Sequence, residues 1–273
     1  MSQDGKRYIY SGHAIGVAAQ FDRLGKLKGL NHVVPALGAA VLPVTGGAAH
    51  AHECCYHYPV ERPWKRSLLS VHHVESSAHG TEKRGAYYTD VHSLVENLEV
   101  VEKLRIGRVE LNLSSVRKTS GPPVITTTGN KILGMRLGEV RVAVSLDDDT
   151  LAQCGTKSQL AAFYAKKPDA YRQKNAWRFG TAAGAPALAE YNGYYHCTLV
   201  TGIKLSGPEK EVEKIPPPVG NMIYWPGFGR IFLGEVLVGN CDRRITMVRL
   251  AMGSDAGGSG SVGDGSTNGH TSM

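Results

Sequence analysis

The densest run of chemically capable side chains in this 273-residue chain is His50-Ala51-His52-Glu53-Cys54-Cys55-Tyr56-His57-Tyr58. In an extended strand successive side chains alternate sides. That places His50, His52 and Cys54 on one face and Glu53, Cys55 and His57 on the other. Imidazole nitrogen and thiolate sulfur are the donors that zinc and copper prefer. One strand supplies only two or three ligands at good geometry, so a full shell would also draw on His72, His73 or His79. His50, His52, Cys54 and His57 are therefore the candidate metal set, with zinc or another transition metal as the cofactor this reading requires. Against it, the run holds neither paired C-x-x-C units nor H-E-x-x-H. It also follows the loop-like Thr45-Gly46-Gly47-Ala48-Ala49, and the plainer reading is an exposed loop with no cofactor.

Nucleophilic chemistry has less support. Cys54, Cys55, Cys154 and Cys197 could each act as a nucleophile with a histidine beside them in space. His196 and Cys197 point to opposite sides of a strand, and Cys197 falls on an apolar face where a thiol is inert. Cys154 precedes an expected helix start, a place that can acidify a thiol, and is the better reactive candidate. The chain has no G-x-S-x-G, no P-loop and no G-x-G-x-x-G after a strand. Asp147-Asp148-Asp149 lacks the alternating ligands and central glycine of a calcium loop and reads as a polar connection. No catalytic residue is assigned.

Two basic groupings suggest binding instead. Lys157, Lys166, Lys167, Arg172, Lys174 and Arg178 are interleaved with Tyr164, Tyr171, Trp177 and Phe179, the mixture that phosphate neutralisation plus base stacking needs. Leu160, Phe163 and Tyr164 look like the face that docks the helix, which removes aromatics from such a role. Arg243 and Arg244 are placed at a hairpin tip, where paired guanidinium groups could clamp a carboxylate of a neighbouring subunit.

Composition narrows the classes. There are 31 Lys and Arg against 24 Asp and Glu, a formal charge of +7. That balance suits nucleic acid, anionic membrane or acidic protein partners, and it suits solubility alone. No signal-peptide core follows the N-terminus. The longest apolar stretch, Val33 to Val44, carries two prolines and is too short to span a bilayer. Five cysteines at irregular spacings do not make a disulfide framework. A cytoplasmic protein with reduced thiols and no membrane span is expected.

The elements that must position these groups are mostly strands. Ile15, Val17, Ala19 and Phe21 share a face, with Ala14, Gly16 and Ala18 opposite. Val33–Pro35, Ala40–Val44, Leu68–Val74 and Tyr87–Val95 follow, with helix an option over Leu94–Leu104. Val109, Leu111 and Leu113 alternate with polar residues, as do Val140, Val142, Val144 and Leu146. Thr128-Gly129-Asn130 reads as a hairpin turn. Tyr195, Cys197, Leu199 and Ile203 share a face, and Ile231–Val238 with Ile245–Leu250 forms a last hairpin. Thr156-Lys157-Ser158-Gln159 has capping-box spacing, and Pro168 suits a first helical position.

The expectation is a mainly β (α+β) fold, an antiparallel sandwich- or barrel-like sheet with a short helical insertion near 156–178. Residues 1–252 form the globular part, as one unit or two subdomains. From Gly253 the Gly, Ser, Asp and Thr composition predicts a flexible tail. Leu137-Gly138-Glu139-Val140 recurs as Leu233-Gly234-Glu235-Val236, a likeness read as chance because the spacings between copies differ. The functional expectation is a non-enzymatic β-rich interaction or structural protein that binds a protein partner or itself. A metal-binding protein or metal-dependent enzyme using residues 50–57, and a basic nucleic-acid binder, are the alternatives.

Overall fold

The apolar alternation resolves into long antiparallel strands. The computed structural model describes residues 7–24, 27–58, 67–119, 121–176, 190–253 and 257–271. In chain order the strands are β1 (Tyr8–Ile9), β2 (Gly12–Leu24), β3 (Leu27–Val41), β4 (Gly47–Tyr58), β5 (Leu69–Lys83), β6 (Ala86–Val100), β7 (Leu104–Lys118), β8 (Val124–Thr126), β9 (Lys131–Leu133), β10 (Met135–Leu137) and β11 (Val140–Leu146). Helices α1 (Asp148–Gln153), α2 (Lys157–Lys166) and α3 (Pro168–Lys174) interrupt them. Then come β12 (Glu190–Tyr191), β13 (Tyr194–Thr198), β14 (Val200–Ser206), α4 (Glu209–Val212), β15 (Met222–Trp225), β16 (Gly229–Val238), β17 (Asp242–Met252), β18 (Gly258–Asn268) and β19 (His270–Thr271).

Two antiparallel sheets result. The first runs β14-β11-β10-β7-β6-β5-β4, and the short β8 and β9 also pair with β7. The second runs β12-β13-β16-β17-β18-β2-β3, with β15 on β16. They pack face to face around an apolar core that includes Val17, Phe21, Val74, Val91, Leu111, Val236 and Ile245. The antiparallel sandwich expected from the alternation is what forms. No helix among the described residues is long and apolar enough to cross a membrane.

A transverse crease crosses each sheet. In the first, Cys55 (φ 53°), Asn97 (φ 51°) and Gly134 (φ 66°) are left-handed on alternate strands, with His72 and Gly107 between them. In the second, Gly38 (φ 57°), Gly263 (φ 59°) and Gly234 (φ 57°) alternate with Gly16 and Met247. A left-handed residue lets the next side chain remain on the face it would otherwise leave. Buried positions step by three at the crease, from Val95 to Leu98 and Leu233 to Val236 where a left-handed residue intervenes, and also from Val71 to Val74 and Ile106 to Val109 on the strands between. Glycine takes this conformation without a Cβ clash, and asparagine tolerates it best among the rest. The recurring Leu-Gly-Glu-Val is explained by the same conformation in two settings. Gly234 lies in the crease, whereas Gly138 (φ 59°) turns the β10–β11 hairpin.

Several local expectations are corrected. Residues 258–268 are not a flexible tail: β18 is hydrogen-bonded between β17 and β2 in the interior of the second sheet. Backbone ladders on both sides satisfy it, so it needs few apolar side chains of its own. Its glycines let the sheets approach, since a Cβ on Gly265 would lie 2.7 Å from Leu111 Cδ2 and 3.1 Å from Val91 Cγ1. Val33–Pro35 and Ala40–Val41 belong to one strand, β3, bent at Gly38. Leu94–Val100 is strand, closed by a turn with Val101 and Glu102 at positive φ.

Thr128–Asn130 does not make a hairpin, because β8 and β9 both lie along β7. Across the gap Asn112 N donates to Asn130 Oδ1 at 2.8 Å and Thr127 Oγ1 donates to Asn112 O at 2.8 Å. Side chains thus stand in for missing ladder bonds. The apolar face from Tyr195 to Ile203 is split at Leu199, where the chain passes from β13 in the second sheet to β14 in the first. The capping box holds: Gln159 N donates to Thr156 Oγ1 and Thr156 N to Gln159 Oε1, and Pro168 sits in the first turn of α3.

Replacing Gly265 by valine should destabilise the fold by about 1–3 kcal/mol, the usual cost of overpacking a filled interior. Urea unfolding of G265V against the parent chain measures it. An unchanged midpoint would mean that the sheets are not in contact at β18.

Candidate functional site

The His/Cys run occupies β4, at an edge of the first sheet. Its register sets His50 against Ser77, His52 against Glu75, Cys54 against His73 and His57 against Ser70. The left-handed Cys55 reverses the phase. His57 therefore joins His50, His52 and Cys54 on the solvent face instead of pointing away from them, a correction to strict alternation. All four are exposed. Side chains two apart on a strand are separated by roughly 7 Å, so a row of four spans far more than one ion's coordination shell. On the diagonal, the His52 and His73 ring centroids are 4.9 Å apart. Among the described residues no three His, Cys, Asp or Glu side chains converge as a metal site.

The rest of this sheet's outer face is a lattice of charge. Arg108 bridges Glu96 at 3.1 Å and Glu110 at 2.9 Å, and Lys131 reaches Glu110 at 3.1 Å. Partial burial pushes the Glu110 carboxyl up, but the hydrogen bonds from Lys131 and Arg108 outweigh it and hold the group below its ordinary range.

Among the described residues of the helical insertion, two of the aromatic side chains face the core. Tyr164 and Tyr171 are buried, and the Tyr171 hydroxyl donates to His196 O at 2.7 Å. Lys166 and Lys167 are exposed, with Lys167 Nζ 4.8 Å from the Phe163 ring centroid. Lys157 pairs with Glu190 at 2.7 Å and Lys174 with Asp147 at 3.1 Å. The side chain of Arg172 and residues Trp177, Arg178 and Phe179 lie outside the described residues. Asp147 caps α1, accepting from Thr150 N at 3.0 Å. Its partial burial favours the neutral acid, yet the bonds from Thr150 and Lys174 keep its pKa below the usual value.

The thiols divide sharply. Cys54 and Cys55 are exposed, whereas Cys154 and Cys197 are buried. Cys154 is thus not the reactive thiol expected before a helix. Burial pushes it up, the nearby Arg243 charge only partly offsets this, and Asp147 adds to the rise. Cys197 is buried as its apolar face implied, and burial raises it to about 12.

The paired arginines are separated rather than set together at a tip. Arg243 is 0% exposed and points into the core, where Nη1 donates to Ile125 O at 2.9 Å and Nη2 to Cys154 O at 3.1 Å. It ties β8 and the end of α1 to β17 and is not a surface clamp. Arg244 points the other way, with Nε donating to Asp264 Oδ1 at 3.0 Å. Strand alternation sends consecutive residues to opposite faces, which is the physical reason the pair divides.

On that outer face lies an arrangement missed by sequence reasoning. A cavity of about 420 Å³ is lined by Asn175, His196, Asn221, Glu235, Arg244 and Arg249, among others. Arg249 Nη2 donates to Glu235 Oε1 at 2.8 Å, and its guanidinium stands 3.8 Å from the Phe232 ring centroid. Asp264, with its side chain 4% exposed, accepts from both Arg244 and Thr246. Beside it Ser266 Oγ lies 2.9 Å from His13 Nδ1. The Asp264 carboxylate is engaged by Arg244 and Thr246, so this is no Ser-His-Asp relay. In the sequence Glu235 is one of two charged residues in an otherwise apolar β16, and no motif marks it.

The fold defines a two-sheet antiparallel β-sandwich. The chain belongs to the family described as a domain of unknown function, DUF8256, whose model matches residues 8–239. Neither curated proteins nor solved structures return a match.

Two measurements follow from the thiols. In peptide mapping after brief maleimide treatment at neutral pH, Cys54 and Cys55 should be labelled, while Cys154 and Cys197 should react only as the chain unfolds. Labelling of Cys197 as fast as Cys54 would contradict its burial. Because the folded Cys197 holds its proton to about 12 while an ordinary thiol loses it near 9.0, the unfolded chain binds fewer protons between those values. Stability should be intact below about 9 and fall as pH rises toward 12. The Cys197→Ala variant should show a shallower alkaline decline in thermal melts.

Proposed function

We propose that the protein is a non-enzymatic interaction or structural component that binds a protein partner, a second copy of itself first among them, through the open edge at β4. The observation that supports this most is the strand's bareness. Over twelve residues β4 pairs with β5 on one side and, among the described residues, with no strand on the other. Edge strands are ordinarily blunted by proline, lysine or covering elements. β3, at the corresponding edge of the other sheet, carries Pro35. β4 has neither proline nor lysine, and its alternation of Ala, His and Tyr suits addition of another strand. Exposed Val41 and Val44 continue the surface from the end of β3 toward β4.

A second reading, a transition-metal site on the same strand, is favoured by the closeness of the His52 and His73 rings and by Cys54 opposite His73. Such a site would use these side chains as two or three ligands and take the remainder from a partner molecule.

Native mass spectrometry of the full chain separates the readings. A discrete metal-free oligomer that the double variant H52K/C54K converts to monomer is the expected result, because charge on an edge opposes strand pairing. A strict monomer at hundreds of micromolar that retains no cellular protein overturns the proposal. Stoichiometric metal lost on changing His52 and Cys54 to alanine selects the second reading.

A further inference from the structure

We propose that the groove over β10 and β11, on the outer face of the first sheet, binds a small organic phosphate monoester, with its phosphate at Arg136 and Arg141 and its organic body on Leu133 and Val144. The assignment does not rest on the β4 edge, which lies at the opposite end of the same sheet.

The first observation is a row of three arginines in cross-strand register. Arg136 of β10 lies opposite Arg141 of β11 on one side and Arg105 of β7 on the other. Their neighbours Met135, Leu137, Val140 and Val142 are buried, so Arg136 and Arg141 project outward, and both are exposed. Directly opposite residues have Cβ atoms only about 5 Å apart, and like charges so placed repel. An anion seated between the two guanidinium groups turns that repulsion into attraction.

The second is the lack of a protein carboxylate to do this. Elsewhere on this face the arginines are matched: Arg105 pairs with Glu99 at 2.9 Å, and Arg108 with Glu96 and Glu110. Among the described residues no carboxylate pairs with Arg136 or Arg141, and Glu139, exposed in the turn between their strands, forms no ion pair with them. Lys204, exposed opposite Ala143, adds a further positive charge, and Ser206 opposite Arg141 adds a hydroxyl. Two guanidinium forks, an ammonium group and a hydroxyl suit the several oxygens and double charge of a phosphate monoester better than a single carboxylate.

The third is shape. A groove of about 510 Å³ is lined by Arg136, Arg141 and Ser206 together with Leu133, Ala143 and Val144. Leu133 is 52% exposed, although its side chain is large and aliphatic. An apolar wall beside a cationic rim suits a ligand whose phosphate carries an organic body. The neighbouring acids limit its length. Glu110 of β7 and Glu96 and Glu99 of β6 lie further across the sheet, so a nucleic-acid strand continuing that way would meet carboxylates.

The test is isothermal titration of the full chain with phenyl phosphate, with inorganic phosphate, phenol and a short oligothymidylate as comparisons. Phenyl phosphate should bind saturably with a Kd of about 1 mM or lower, at least fivefold tighter than inorganic phosphate, and phenol should not bind. R136Q/R141Q should weaken it at least tenfold while the chain still melts as the parent does. L133S should weaken phenyl phosphate and leave inorganic phosphate unchanged. Should the double variant fail to fold, R136Q alone tests the same point, with at least threefold weakening expected. The assignment is overturned if phenyl phosphate shows no saturable binding, if inorganic phosphate binds as tightly, if the folded arginine variants bind with unchanged affinity, or if the oligothymidylate alone binds.

Discussion

The crease is the constraint on which the rest of this structure depends. A sandwich buries one face of each strand, and a long strand with strict alternation must keep that face throughout. Here a left-handed residue on every second strand breaks the alternation at one level in both sheets. The glycines of one crease approach the other sheet directly: a Cβ on Gly16 or Gly38 would meet Val74, and one on Gly263 would meet Val109. A phase error in a single strand would turn its apolar set to solvent. The crease therefore has to be shared by neighbours, and the steps of three between buried positions in β5, β6, β7 and β16 record that it is.

The same logic explains why β18, with Val262 its one large apolar side chain, is yet central. Its inner face meets Leu111 and Val91 from the opposite sheet, so bulk is supplied from across the core and not from the strand itself. Its outer face carries Asp264, which secures Arg244 and Thr246 and so helps to shape the cavity wall. A segment whose composition alone predicts disorder thus joins the core to the polar outer face. The family match ends at Gly239, before β17 and β18 complete the sheet.

Parts of the functional surface were legible beforehand and parts were not. The His/Cys run was visible as composition, and its exposure fits its polar character. That His57 shares a face with His50, His52 and Cys54 was not visible, because Cys55 gives no sign of a left-handed backbone. The docking of Leu160 and Tyr164 followed from helical spacing. The fate of Arg243 did not: two adjacent arginines look equivalent in sequence, and only the covering α1 and β8 decide which one is sealed in the core. Asn221, Glu235 and Arg249 come from separate elements and carried no local motif.

By itself the sequence determined the strand-rich class, the capped helix at Thr156, the Pro168 helix start and the β16–β17 hairpin. These rest on interactions within a few residues of each other: alternation, capping bonds and turn conformations. Tertiary structure decided the role of residues 258–268, the division of Arg243 from Arg244, the burial of Cys154 and the assembly of the outer-face cavity. Each of these depends on backbone partners or covering layers far away in the chain, which local residue types do not encode.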